Sequence, residues 1–169
     1  MKRLTCLLLC LFGLTFCVGA SAAPPKGNPG FEKMKMLVGE WEGKTDDGSP
    51  VQLSYRLVSG GSALMETLRP ANEPEMVTMY TADGDRVAMT HYCSMNNQPH
   101  LQTGSISGNP QRLDFSFVSA TNLASSGESH IHHLLVTFDD KDHFTQNWTW
   151  RENGKDQTGA FHFSRKKSS

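Results

Sequence analysis

The chain of 169 residues contains little cysteine, and three of its four cysteines lie within the first 17 residues. Cys93 is the fourth, so the rest of the sequence has no second thiol with which to form an internal disulfide bond. A lone thiol is buried, paired with another chain or functional, and free cysteines are among the most buried residues. The sequence therefore excludes a disulfide-stapled scaffold and leaves Cys93 as a candidate site residue.

The sequence also lacks an excess of either charge. It has 16 Lys and Arg residues against 17 Asp and Glu residues, which gives a net charge of −1. The one run of basic residues is Arg165-Lys166-Lys167 near the end of the chain. Proteins that bind nucleic acid need a basic face or stripe. We therefore do not expect nucleic acid as a partner.

Long hydrophobic runs are absent after the start of the chain. The run from Leu4 to Val18 is shorter than a typical transmembrane helix, and no second run follows it. Lys2 and Arg3 precede it and small residues follow it, which is the pattern of a secretory signal peptide. We therefore predict a signal peptide at residues 1–22 and a periplasmic or secreted protein without a stable membrane anchor.

The spacing of apolar residues changes at Gly39. Before it, after a flexible lead predicted at 23–30, apolar residues fall at helical spacing and predict a short amphipathic helix at 31–38. Beyond it, apolar and polar residues alternate and turn signals recur at short intervals, as in all-β proteins. The predicted strands lie at 40–46, 51–58, 62–69, 75–81, 85–93, 99–106, 111–118, 129–138, 142–151 and 155–165.

Ten consecutive strands joined mostly by short turns leave two exposed edges unless the sheet closes on itself. The sequence therefore predicts an all-β fold, a ten-stranded antiparallel up-and-down barrel over residues 31–165. The helix is expected to plug the barrel, and residues 166–169 form a basic tail. The 147 residues that remain after removal of the leader are enough for one domain with a core.

Potential metal ligands recur on the predicted inward faces of two strands. Side chains alternate between the two faces of a strand, so His91 and Cys93 share a face with the apolar residues around them. The same parity places His130 and His132 with the apolar residues of their strand. Two segments thus direct polar groups into an apolar interior, where such groups need a partner, a ligand, a metal or water.

Two interpretations of these side chains remain open. Zinc or copper suits a histidine and cysteine set, and His91, His130 and His132 are the candidate zinc ligands. In the other interpretation the histidines belong to a hydrogen-bonded polar cavity, with Glu66, Tyr80 or water as partners. The second is favoured because the sequence has no His-x-x-x-His or Cys-x-x-Cys spacing.

A nucleophile pair of Cys93 and His91 is a further hypothesis, but catalysis also needs an oxyanion hole, for which the sequence gives no sign. We therefore expect a protein that binds a small molecule rather than an enzyme, and the oligomeric state stays open. Barrels of this size can hold one small ligand. The predicted ligand site consists of Glu66, Tyr80, His91, Cys93, His130, His132 and Trp148.

The segment Gly39-Glu40-Trp41 after a short helix, with Arg165 near the end of the last strand, resembles the calycin barrels. In lipocalins such an arginine packs over the tryptophan and closes the barrel floor. Other segments, among them Thr90–Cys93 and His130–His132, resemble a family of secreted bacterial proteins with lipocalin-like or nitrobindin-like barrels. Nitrobindin-like proteins hold haem through one histidine. The resemblance thus implies haem as an alternative to zinc, with redox or hydrolytic activity.

The predicted signal peptide fixes where the exported chain should begin. We expect the exported chain to begin at Ala23 or Pro24, because the small residues before them suit the signal peptidase. N-terminal sequencing of the protein recovered from the periplasm or the medium measures this. A chain that begins at Met1, or that carries a lipid on Cys17, would contradict the predicted signal peptide.

Overall fold

The computed structural model describes residues 27–167, which form a closed barrel of ten antiparallel strands and one short α-helix. The predicted signal peptide lies outside the described residues. No helix within residues 27–167 has the length and apolar character needed to cross a membrane. The elements are α1 (Pro29–Lys35), β1 (Gly39–Thr45), β2 (Pro50–Val58), β3 (Ala63–Pro70), β4 (Met76–Asp83), β5 (Arg86–Tyr92), β6 (Gln98–Thr103), β7 (Arg112–Thr121), β8 (His130–Phe138), β9 (His143–Glu152) and β10 (Lys155–Arg165).

Helix α1 begins two residues before the predicted start because Asn28 caps it. The Asn28 side chain accepts a hydrogen bond from the Phe31 backbone N–H, at 2.8 Å, and Pro29 occupies the first turn. The same side chain donates to the carbonyls of Gly84 and Arg86 in the turn between β4 and β5. Residues 28–30, which were predicted to belong to a flexible lead, are therefore part of the folded barrel.

The strands pair in chain order, and β1 pairs with β10 to close the sheet. The prediction of a ten-stranded antiparallel barrel is confirmed. Each strand boundary lies within a few residues of the predicted one, and β7 extends furthest beyond it, to Thr121. In an up-and-down barrel successive turns lie at opposite ends. Helix α1 packs against β4 and β5 near the end where Asn28 meets their turn.

Inward side chains fill the barrel next to the helix. Phe31, Met34 and Leu37 come from the helical segment and join a single buried core with residues of the strands. The strands contribute mainly large aliphatic and aromatic side chains, as their alternating pattern predicts. The largest of those with almost no exposed surface are Trp41, Tyr80, Phe115, Phe144 and Phe163.

Trp41 and Arg165 form the contact that the calycin resemblance implies. Trp41 is 2% exposed, and the Arg165 guanidinium carbon lies 4.1 Å from the centre of a Trp41 ring. The guanidinium donates to the carbonyls of Val38, at 2.9 Å, and Met36, at 2.8 Å. The Trp41 indole N–H donates to the Leu37 carbonyl at 2.7 Å. The end of the helical segment is thus bound to both the first and the last strand.

Replacing Trp41 by alanine should lower the free energy of unfolding by about 3–5 kcal/mol, the usual cost of deleting a core aromatic side chain. Urea unfolding followed by circular dichroism measures the change. Trp150→Ala is the matched control, because Trp150 is only partly buried and should cost roughly half as much or less. Equal losses for the two variants would contradict a structural role specific to Trp41.

Candidate functional site

A cavity of about 390 Å³ opens at the end of the barrel away from the helix. Its volume lies within the range of roughly 300–1,000 Å³ that is usual for small-molecule sites. The walls are mostly apolar and aromatic, and a few polar side chains interrupt them. The lining consists of Leu68, Glu73, Met76, His91, Cys93, Ser94, Met95, Ser129, His130, Ile131, Trp148, Trp150 and Phe161.

His91 is the most deeply buried histidine in this lining. It lies on β5 with its side chain turned inward and is 2% exposed. Its ring packs against Trp148, with 4.9 Å between ring centres, and Nδ1 is 2.9 Å from the Thr78 hydroxyl. Nε2 has no hydrogen-bond partner among the described residues, and it keeps some solvent-accessible surface. This nitrogen therefore faces the cavity.

Burial sets the charge state of His91. Loss of solvent lowers the pKa of His91 from its ordinary value of 6.5 to about 4. The ring is therefore neutral at neutral pH and carries one proton, on either Nδ1 or Nε2. A neutral imidazole offers the cavity a single hydrogen bond, as donor or as acceptor.

A buried carboxyl group lies beneath His91 in the barrel. Glu66, on β3, has no exposed surface, and its Oε2 accepts hydrogen bonds from the hydroxyls of Tyr55 and Tyr80. The Gln146 side-chain amide also donates to Oε2, at 2.8 Å. The Thr78 hydroxyl lies 3.4 Å from Oε1 and donates to it. Four donors from strands β2, β4 and β9 therefore surround one carboxyl group.

Two opposing effects act on Glu66. Burial raises the pKa of Glu66, and the hydrogen bonds from Tyr55, Tyr80, Gln146 and Thr78 lower it by a smaller total, so the pKa lies above its ordinary value. Burial, and then the nearby charge of Glu66, raise the pKa of each tyrosine well above its ordinary value. Both tyrosines are therefore protonated at neutral pH and remain hydrogen-bond donors.

Two side chains connect the carboxyl group with the cavity wall. Thr78 lies between Glu66 and His91, and Gln146 accepts a hydrogen bond from the Trp148 indole N–H at 3.0 Å. Thr78, Gln146 and Tyr55 were not among the predicted site residues. The available signal was alternation along the strand, since Gln146 lies two residues before Trp148 and therefore on the same face. Glu66 and Tyr80 were selected, and they lie beneath the cavity rather than in its wall.

The other two histidines are separated by a β-bulge. The register of β8 against β9 shifts between Ile131 and His133, so His132 has no partner on β9. His130 is 6% exposed, lines the cavity and donates from Nδ1 to the Glu128 carbonyl. His132 stacks on Phe117, with 4.9 Å between ring centres, and does not line the cavity. His132 therefore does not share the cavity wall with His91, contrary to the prediction, because alternation fails at the bulge, and its ring centre lies 5.6 Å from that of His130.

Among residues 27–167, no group of three or more His, Cys, Asp or Glu side chains converges closely enough to hold a metal ion. The zinc site predicted from His91, His130 and His132 is therefore not assembled. Cys93 follows β5 and lines the cavity with its thiol unpaired in the described part of the chain. The structure thus brings together His91, Cys93, His130 and Trp148 around the cavity.

No family model and no curated protein matches this sequence. Among solved structures, EF1p2_mFAP2b bound to DFHBI is similar at 11% identity and a TM-score of 0.39, covering 80% of this chain and 98% of that one. A redesigned β-barrel, b11L5F_LGL, has 13% identity and a TM-score of 0.39, covering 79% and 94%. A protein of unknown function from the DUF3598 family of Nostoc punctiforme has 12% identity and a TM-score of 0.44, covering 79% and 49%. Nothing about function follows from likenesses at these values.

The depressed pKa of His91 predicts a loss of stability in acid. The stabilising contribution is present above pH 6.5 and is lost as the pH falls through the folded-state pKa of about 4. Between pH 7 and pH 4 the parent should lose on the order of 3 kcal/mol more than His91→Gln does. Urea unfolding at a series of pH values measures this. His143→Gln changes an exposed histidine, and its free energy of unfolding should fall with pH as steeply as that of the parent. If the free energy of unfolding of His91→Gln falls as steeply as that of the parent, the prediction is refuted.

Proposed function

We propose that this protein is an exported calycin-like barrel that binds a small, partly apolar molecule. The observation that carries the proposal is the cavity of about 390 Å³, whose apolar walls surround the buried, neutral His91. Such a combination of apolar walls with a few placed polar groups is typical of small-molecule sites. His91 is the polar anchor, and Trp148 forms the wall behind it.

The contact between Trp41 and Arg165 supports the calycin assignment, because this pair joins the helical segment to the first and last strands as the resemblance implies. The leader sequence supports export to the periplasm or the medium, since its basic start, apolar run and small residues follow the order of a signal peptide. Neither property depends on the identity of the ligand.

A haem-binding barrel is the alternative. One observation favours it, which is that the His91 Nε2 faces the cavity and can serve as a single axial ligand. The remaining lining fits haem less well, because Glu73 is its one charged side chain and it offers no Lys or Arg to the two haem propionates. The small-molecule site is therefore the first proposal, and redox or hydrolytic activity belongs to the alternative.

Binding of the neutral fluorescent probe N-phenyl-1-naphthylamine tests the proposal. The exported chain, from Ala23 onward, should give a saturable rise in probe fluorescence. Alkylation of Cys93 with N-ethylmaleimide places a bulky group in the cavity, and we expect it to weaken probe binding about tenfold or more. Cys93→Ser treated with the same reagent is the matched control and should bind the probe as untreated protein does.

Two results would count against the small-molecule site. One is a parent that shows no saturable fluorescence change, and the other is binding that alkylation of Cys93 leaves unchanged. Titration with haemin separates the alternative, because axial ligation by a histidine shifts the haem absorption band. A band shift that His91→Ala abolishes would favour the haem-binding barrel.

A further inference from the structure

His91 gives the cavity one deeply placed hydrogen-bonding atom, Nε2, and the partner of the other ring nitrogen decides what that atom can do. A neutral imidazole has a proton on one nitrogen and a lone pair on the other. If Nδ1 carries the proton, Nε2 accepts a hydrogen bond from a ligand. If Nδ1 accepts from Thr78, Nε2 carries the proton and donates instead.

The partner of Nδ1 is a hydroxyl that has only one proton to give. The Thr78 hydroxyl lies 2.9 Å from His91 Nδ1 and 3.4 Å from Glu66 Oε1. A carboxylate has no proton, so Thr78 must donate to Glu66 when Glu66 is ionised. The Thr78 oxygen then has only a lone pair to offer Nδ1, and the ring proton must reside on Nδ1.

Three donors favour the ionised form of this carboxyl group. The hydroxyls of Tyr55 and Tyr80 and the amide of Gln146 all donate hydrogen bonds to Oε2. Hydrogen bonds to a carboxylate stabilise its charge. Oε1 is left facing Thr78, so the charge of Glu66 is transmitted to His91 through one hydroxyl.

We infer that Glu66, in its ionised form, and Thr78 hold His91 in the tautomer with its proton on Nδ1, so that the cavity selects molecules that present an O–H or N–H donor to Nε2. This inference rests on the proposed small-molecule site and names the class of ligand. The walls of the cavity include Trp148, Trp150 and Phe161, which suit a flat aromatic body. Since the lining contains Glu73 and no Lys or Arg, it disfavours an anion, and the ligand is an aromatic alcohol or amine.

Protonation of Glu66 changes Nε2 of His91 from a hydrogen-bond acceptor into a donor. Because Oε2 is occupied by three donors, an added proton resides on Oε1 and is donated to Thr78. Thr78 then donates to Nδ1, and Nε2 becomes a donor. The selection for donor ligands is therefore present above the pKa of Glu66 and is lost as the pH falls through it. Since burial raises that pKa, the change comes at a higher pH than for an exposed glutamate.

Few polar groups surround the hydrogen-bonded relay formed by Glu66, Thr78 and His91. Those facing Glu66 are Tyr55 on β2, Thr78 and Tyr80 on β4, and Gln146 on β9. Those facing His91 are Thr78 and Trp148, and beyond them the titratable groups of the cavity lining are Glu73, Cys93 and His130. Among the described residues, no charged side chain forms an ion pair with Glu66.

Two probes of similar shape, of which only one can donate a hydrogen bond, test the inference. 2-Naphthol brings a hydroxyl donor, and 2-acetylnaphthalene brings only a carbonyl acceptor. Calorimetric titration at pH 7.5 gives the ratio of their dissociation constants. The parent should bind 2-naphthol more tightly, by about tenfold, since one net hydrogen bond is gained in one complex and a buried acceptor is unpaired in the other.

Glu66→Gln is the decisive variant. The three donors hold the amide oxygen at the Oε2 position, so the amide NH₂ faces Thr78 and donates to it as a protonated glutamate would. We expect the preference to shift toward 2-acetylnaphthalene by about tenfold or more. Thr78→Val, which removes the relay, should reduce the parent's preference by roughly threefold or more because either tautomer is then accessible.

The outer face of the barrel supplies a matched control. The Thr90 hydroxyl lies 2.9 Å from His100 Nδ1, which repeats the threonine–histidine contact of the interior without a buried carboxyl group. Thr90→Val should leave the ratio of the two dissociation constants at the parent's value. A change as large as that of Thr78→Val would show that the ratio reports altered stability and would overturn the inference.

The remaining outcomes also decide the question. If both probes bind with an unchanged ratio in Glu66→Gln and Thr78→Val, the tautomer is not set by Glu66, although the small-molecule site stands. If neither probe binds the parent, both the inference and the proposed function fail. If Glu66→Gln does not fold, the parent titrated downward from pH 8 decides, since its preference for 2-naphthol must decline as the pH falls through the pKa of Glu66.

Discussion

The first strand of the barrel pairs with the last, from Trp41 opposite Arg165 to Thr45 opposite Phe161, and the interior exists only because this pairing closes the sheet. Closure gives every strand a neighbour on both sides and leaves no free edge. It also removes one face of each strand from water, so a polar side chain on that face must find its hydrogen bonds among other inward side chains. The cavity and the carboxyl group beneath it both depend on this enclosure.

Glu66 is the most demanding of the enclosed polar groups. An isolated buried charge is very costly, and partly satisfied networks are worse than an apolar core of the same shape. The barrel meets the demand with donors from three strands, including Tyr55 and Gln146, which also hydrogen-bond to each other inside the barrel. Stability alone is served as well by an apolar side chain at this position. A fully hydrogen-bonded carboxyl group next to a cavity therefore indicates a use for its polarity.

Much of the fold could be predicted because the strands are half buried and carry a regular period of two. All ten strands follow from that period, their order follows from the short turns between them, and the contact of Trp41 with Arg165 was predicted from the resemblance to calycin barrels. His132 lies where the alternation of inward and outward side chains fails. A bulge changes which residue faces inward, and a bulge is a property of the pairing between two strands, so alternation along one strand does not reveal it.

The polar network could be predicted only in part, for a different reason. Parity places Glu66 inward, yet it does not say which side chain lies opposite across the barrel. The Gln146 amide meets Glu66 from 80 residues away and Tyr55 from 91 residues away. Such partners depend on the register of every intervening strand, and an error of one residue in any of them turns the side chains to the other face.

The hydrogen bond between Arg165 and the Val38 carbonyl joins positions that are 127 residues apart. Each hairpin can form as soon as its two strands are free to fold, whereas this contact must wait for the end of β10. Contacts between distant residues slow folding, and open strand edges pair readily with other chains. Until β10 docks, the folding chain therefore offers both sheet edges and its apolar interior to chaperones, proteases and its own copies.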